Sequence, residues 1–211
     1  MKIFLTLILM LCSINALELN NFNNYKCDKV IDNSYFKTCY DYNLKSATAS
    51  YTLLQGDKVN SLNIKERFDF YDDQNIPKEF RTFDHQYTNS GFDRGHIEGD
   101  ASFDYSAESL KFTYALSNIV PQYPKTNRHS YLNVEKYQRE KAQELQFLEV
   151  LTLIEYTDEK VNKMSIPKVF NVVLYNKNIG FEECYSIKND NIVYSLDEMK
   201  VNCSSMSSII K

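Results

Sequence analysis

Apolar residues run almost unbroken from 147 to 154 (FLEVLTLI) and again from 169 to 175 (VFNVVLY). Short runs of this kind, rich in aliphatic and β-branched residues, predict buried strands. A further strand is predicted over 47–54, where Thr48, Tyr51 and Thr52 supply β-branched and aromatic side chains. The pattern changes between 127 and 145. Tyr131, Leu132 and Leu145 form an apolar stripe there, neither Gly nor Pro interrupts it, and Thr126 or Asn127 is placed to cap its start after Pro124. A shorter helix is predicted over 106–116, capped by Ser106, with residues 117–122 leaving it as a strand-like exit. Residues 19–46 are polar and Asn-rich and read as an ordered but irregular entry, and 67–91 as loops and short strands. These elements predict an α+β fold with a mixed or antiparallel sheet core and a few flanking helices.

The first residues follow another logic. Lys2 precedes an apolar run over 3–11 that gives way to Ser13-Ile14-Asn15-Ala16, the layout of a secretory signal peptide. The expectation is a signal over 1–16, a single domain over 17–211, a secreted or periplasmic product and no membrane partner after cleavage. In an oxidising compartment disulfides persist. Cys27, Cys39, Cys184 and Cys203 would then close two local loops, and no C-x-x-C or H-x-x-x-H spacing favours zinc instead.

Composition bounds the partners. The chain has 211 residues, 43% hydrophobic and 14% aromatic, enough to bury a core, and a formal charge of −4 that gives no global basic field. An anionic substrate must therefore be held locally. All five arginines, at 67, 81, 94, 128 and 139, fall in one central stretch, although the chain otherwise prefers Lys. A guanidinium pairs with phosphate through two hydrogen bonds, whereas Lys offers a point charge, yet any single Arg reads better as an ordinary surface ion pair. Within 111–141 six basic residues face only Glu135 and Glu140, which makes a basic strip.

At the upstream edge of that strip stands Asp93-Arg94-Gly95-His96. In an extended segment Arg94 and His96 share a face, so a phosphate held by the guanidinium would lie beside an imidazole able to act as general base. Asn127, Tyr131, Glu135 and Arg139 recur every fourth residue and so share one broad helix face. An amide oxygen and a carboxylate suit a hard cation such as Mg²⁺. The plainer alternative is that Asn127 caps the helix and Glu135 pairs with Arg139.

Taken in order, Asp93-Arg94-Gly95-His96, then Leu116-Ser117-Asn118-Ile119-Val120-Pro121-Gln122, then Asn127-x-x-x-Tyr131-x-x-x-Glu135 and Arg139 resemble the DNA/RNA non-specific endonuclease family of the ββα-metal fold. The resemblance implies that His96 is the general base, Asn127 the direct Mg²⁺ ligand and Glu135 a holder of the metal's water. Arg94 and Arg139 would contact the scissile phosphate, and Mn²⁺ could substitute for Mg²⁺. It further implies an endonuclease acting on DNA and RNA with little sequence specificity. His85 and His129 have no role in this scheme. The competing reading is a secreted protein that binds nucleic acid or forms a surface without cutting anything; oligomeric state is not legible.

Overall fold

The computed structural model describes residues 27–206; the predicted signal segment and Cys12 lie outside them. The chain opens with β1 (Lys29–Asp32), β2 (Phe36–Asp41) and β3 (Ser46–Gln55), an antiparallel meander. The first two correct the expectation of an irregular entry over 19–46. β1 is mostly exposed, so it carries no apolar run to betray it. Residues 67–91 contain two 3₁₀ turns and one isolated bridge, Tyr71 to Ala115, in place of the expected short strands.

Next comes the part that positions the site. β4 (Asp93–His96) pairs antiparallel with β5 (Ile119–Gln122), and between them lies α1 (Ala107–Thr113), whose Ser106 cap accepts from the Ser109 N–H. After β5 the chain turns helical, through a π-helical turn at Thr126–Tyr131 into α2 (Leu132–Leu145). The expected cap at Thr126 or Asn127 is not used. Helical backbone already begins at Pro124, which suits a first helical position because its missing N–H has no partner to lose. The Thr126 hydroxyl instead bonds the Lys188 and Asp190 carbonyls. Of the predicted stripe Tyr131 is buried, while Leu132 and Leu145 are half-buried; on α2 the buried residues are instead Val134, Gln138, Arg139 and Ala142.

β6 (Phe147–Val161), β7 (Met164–Asn176) and β8 (Phe181–Lys188) extend the sheet antiparallel, and α3 (Leu196–Met199) leads into β9 (Lys200–Val201). Among the described residues this gives a seven-stranded sheet in the order β1-β2-β3-β6-β7-β8-β9, with β4-β5 as a separate pair. Both faces of the sheet are covered, which is why its central strands show no alternation. Leu148, Val150, Phe170, Val172 and Leu174 pack with Tyr131, Val134 and Ala142 on the helix side. Leu151, Leu153 and Val173 face the other way, against Ala49, Tyr51 and Met206.

That second face carries both disulfides, Cys27–Cys39 and Cys184–Cys203, each with Cα atoms 5.2 Å apart. They are the two local loops expected from the spacing. No helix among the described residues is long and apolar enough to cross a membrane.

Candidate active site

β4 and the helix run side by side, and three contacts spaced along both lock them in register. The Asn127 amide donates to Asp93 Oδ2 at 3.0 Å, the Tyr131 hydroxyl donates to the Ile97 carbonyl at 2.7 Å, and Glu135 lies against Gly99. The four-residue period of Asn127, Tyr131 and Glu135 thus keeps one face toward one strand, although the first turn is π-helical. π-helical turns are frequent companions of functional sites.

Glycines make the approach close enough. A Cβ on Gly99 would fall 2.3 Å from Glu135 Oε1, and one on Gly95 would fall 2.2 Å from Gln122 Cδ. Because Gly95 leaves that room, Gln122 lies across the strand pair and its amide donates to the His96 carbonyl at 3.2 Å. Fully buried Asn118 fixes the segment after His96. Its carbonyl accepts from Glu98 N–H at 3.0 Å, and its amide donates to the Glu98 and Thr113 carbonyls.

The His96 ring sits between Phe70 and Tyr114, with centroids 5.7 and 5.1 Å away, and its enclosed Nε2 has no hydrogen-bond partner among the described residues. Burial pushes its pKa down to about 4; the Asp100 carboxylate pulls it back up and the Arg67 charge adds to the depression. The imidazole is therefore neutral at pH 7 and has a lone pair to offer. Asp100 in turn holds Arg67 Nε at 3.1 Å and accepts the Tyr114 hydroxyl at 2.7 Å.

Glu135 belongs to the same electrostatic cluster. Burial raises its carboxyl to about 8, with Arg139 opposing and Asp100 adding to the rise. Arg139 is buried and its Nη1 has no hydrogen-bond partner among the described residues. The other arginines are occupied. Arg67 also approaches Asp104 at 3.5 Å, Arg81 donates to the Ile76 carbonyl, and Arg128 forms a two-pronged pair with Asp93. Arg94 is tied to Asp84 through both the carboxylate and the backbone carbonyl, over the rings of Tyr87 and Phe70. As expected, Arg94 and His96 share a face, since both meet Phe70.

The structure thus draws His96, Glu135 and Arg139 into one charged cluster around Asp100, and Asn127 onto the strand through Asp93. Burial works to raise the Asp93 pKa, but hydrogen bonds from Arg128 and Asn127 outweigh it and hold the carboxyl below its ordinary value. With the Asn127 NH₂ given to Asp93, its carbonyl oxygen is left to serve as a ligand. Among the described residues no three His, Cys, Asp or Glu side chains converge as a cage. The available donors are an amide oxygen and the half-buried Glu135 carboxyl, which makes no hydrogen bond to a described residue. That set fits a hard divalent cation that keeps most of its own waters.

Sequence reasoning overlooked several participants. Asp93 and Gln122 stand in the motifs without their bonds to Asn127 and to the His96 carbonyl, and Asp100, Tyr114, Phe70 and Glu98 carry no signal of their own in the sequence. Gly99 had a signal, since three of the chain's five glycines cluster at 91, 95 and 99.

Comparison with known proteins supplies the frame for this geometry. Residues 15–209 match the DNA/RNA non-specific endonuclease family. The chain belongs to that family. Human mitochondrial endonuclease G is 31% identical over 114 residues, 54% of this chain and 38% of its own length. A nuclease of Nostoc sp. is 32% identical over 100 residues, 47% of this chain and 36% of its own. The chain thus spans less than half the length of these relatives. A chain in the crystal structure of the EndoG/EndoGI complex superposes with a TM-score of 0.73 at 21% identity, over 86% of this chain and 83% of its own. The fold is accordingly that of a ββα-metal nuclease, in which β4, β5 and the helix from the π turn through α2 make up the ββα unit.

Proposed function

We propose that this protein is an exported, Mg²⁺-dependent endonuclease that hydrolyses phosphodiester bonds of DNA and RNA with little sequence preference. The observation that carries the reading is the register of strand against helix. It sets a neutral imidazole, an oriented amide oxygen, a half-buried carboxyl and a guanidinium whose Nη1 has no hydrogen-bond partner among the described residues along one ββα unit. The four disulfide-bonded cysteines and the apolar leader support export.

In this reading His96 takes the proton from the attacking water, since burial keeps its imidazole neutral at pH 7. Arg139 Nη1, with no protein acceptor, donates to the phosphoryl oxygens as negative charge builds there. Arg94 keeps the guanidinium plane beside His96 and exchanges part of its bonding with Asp84 for a phosphate oxygen. Asn127 Oδ1 would hold the cation and Glu135 the water around it, and the bound cation supplies stabilisation of charge on the phosphate and the leaving oxygen. Since all these groups address phosphate and none addresses a base edge, cleavage carries weak sequence preference and binding weakens as salt rises.

The test is incubation of purified protein with plasmid DNA, linear DNA and RNA in Mg²⁺, Mn²⁺ or EDTA. Internal cleavage of all three in Mg²⁺, abolished by EDTA, is expected. Intact polymers in every metal would reject the reading in favour of a protein that binds without cutting.

A further inference from the structure

Beside the 3₁₀ turn that carries Asp84, the partner of Arg94, lies a groove that the site described above does not use. It has a volume of about 620 Å³ and is lined by Lys45, Arg81, Phe83, His85, Gln86, Asn162 and Lys163. That is within the roughly 300–1,000 Å³ of built ligand sites, and the lining holds three fixed cations and a histidine with no carboxylate among them. We infer that this groove is a subsite for a single-stranded stretch of the polynucleotide, gripping its backbone with Lys45, Arg81 and Lys163 and stacking a base on His85.

The walls come from separate parts of the chain and are fastened to each other. The Gln86 amide donates to the Asn162 carbonyl and the Asn162 amide to the Gln86 carbonyl, both at 2.7 Å, so the β6–β7 hairpin tip is clamped to the 3₁₀ turn at Asp84–Tyr87. The Ser165 hydroxyl bonds the Leu44 carbonyl at 2.9 Å and ties the β2–β3 turn, which carries Lys45, to the base of the same hairpin. Lys45 Nζ and Arg81 Nε each donate to a backbone carbonyl, of Glu79 and Ile76. Those bonds place the two cations without neutralising them. The Glu79 side chain is exposed and is not part of the lining.

An aromatic platform completes the site. The half-buried Phe83 ring stacks on exposed His85 with centroids 5.8 Å apart and planes 18° from parallel, which leaves the outer face of the imidazole free. Cations beside a free ring face are how proteins hold unpaired strands, because every base has a π-face and the backbone is charged throughout. A duplex would keep its bases stacked on one another and leave that face unused.

The same 3₁₀ turn connects the groove to the reaction centre. His85 follows Asp84, the residue that holds Arg94, so a strand lying in the groove runs on toward the Asp93–His96 strand. The inference rests on the nuclease reading for its consequence in catalysis, while binding can be measured without cleavage.

The experiment uses the full protein in EDTA with a fluorescent 30-mer of deoxythymidine and with a duplex of the same length, followed by anisotropy at several salt concentrations. The variants are Lys45→Ser with Lys163→Ser, and His85→Ala; circular dichroism confirms that each is folded. The double variant should lower the slope of log affinity against log salt by about 0.7 per lysine on the single strand. His85→Ala should weaken single-strand binding about tenfold, the lower part of what one stacked base contributes, and leave duplex binding unchanged. In Mg²⁺ both variants should raise KM on the 30-mer with kcat retained, and cleave a dinucleotide at the parental rate. Unchanged single-strand affinity and salt slope in the double variant would overturn the subsite. Equal losses on duplex, with no effect of His85→Ala, would overturn the single-strand assignment. A parent that binds the 30-mer through these residues yet cuts nothing would sink the nuclease reading and leave the groove standing.

Discussion

Gly99→Ala separates folding from catalysis with a single methyl group. Gly99 has φ −67° and ψ 134°, a conformation alanine adopts without strain, and the substitution narrows the unfolded ensemble, worth about 0.4–1 kcal/mol. The new Cβ, however, would lie 2.3 Å from Glu135 Oε1 and 2.6 Å from Cδ, whereas ordinary contact begins at 3.4 Å. The backbone on both sides is held, by Asn118 on the strand and by Tyr131 on the helix. The carboxyl must therefore retreat by roughly 1 Å, and a displacement of that size at a reacting centre costs on the order of 10²-fold in rate. Because the clash involves the far end of a flexible side chain, stability should change by no more than about 1 kcal/mol. The assay is nicking of supercoiled plasmid in Mg²⁺ beside a thermal melt. A variant that melts like the parent and cuts at the parental rate would refute the placement of Glu135.

Four further outcomes are expected. Asp93→Ala frees the Asn127 amide to rotate and should raise the Mg²⁺ concentration for half-maximal cleavage about 10–100-fold, the usual effect of removing a residue that orients a metal ligand; a metal titration of the rate checks it. Buried Glu98, bonded by the Ser50 hydroxyl at 2.6 Å, is raised from 4.5 to about 8, chiefly by burial, so the folded state keeps a proton that the unfolded state releases. Its contribution is full below pH 4.5 and fades as pH climbs to 8, by at most roughly 3–5 kcal/mol, and Glu98→Gln should flatten that limb in denaturant melts taken at successive pH values. His96 has the opposite sign. Its folded pKa of about 4 lies below the ordinary 6.5, so stability is lost as pH falls through that window and His96→Ala should shallow the acid limb. Replacing Cys184 and Cys203 with Ser should cost roughly 2–4 kcal/mol, read from a urea melt, with cleavage retained because that bridge lies on the sheet face away from α2.

What the sequence disclosed and what it hid divide along physical lines. β6, β7 and α2 were legible because their signals are local: an unbroken aliphatic run for a strand covered on both faces, and a long stretch free of Gly and Pro for the helix. Asn127, Tyr131 and Glu135 were legible for the same reason, since one period keeps them facing one strand. β1 and β2 stayed hidden because their pairing comes from partners along the meander and their polar residues resemble a loop. Glu98 was invisible as a buried acid because its enclosure is made by Ser50 and Asn118, both at least 20 residues away in sequence. The arginine cluster turned out mixed. Arg67, Arg81, Arg94 and Arg128 have protein partners, and Arg139 alone among them has a buried nitrogen with no partner among the described residues, a distinction that side-chain geometry draws and residue type does not.

The account stands on the imidazole of His96 as the proton acceptor. The direct measurement is single-turnover cleavage of a plasmid at saturating Mg²⁺ by the parent and by His96→Ala, with matched circular dichroism spectra. The rate should fall on the order of 10²–10⁴-fold, the span expected for a positioned general base. A folded His96→Ala protein that cuts as fast as the parent would contradict the mechanism outright.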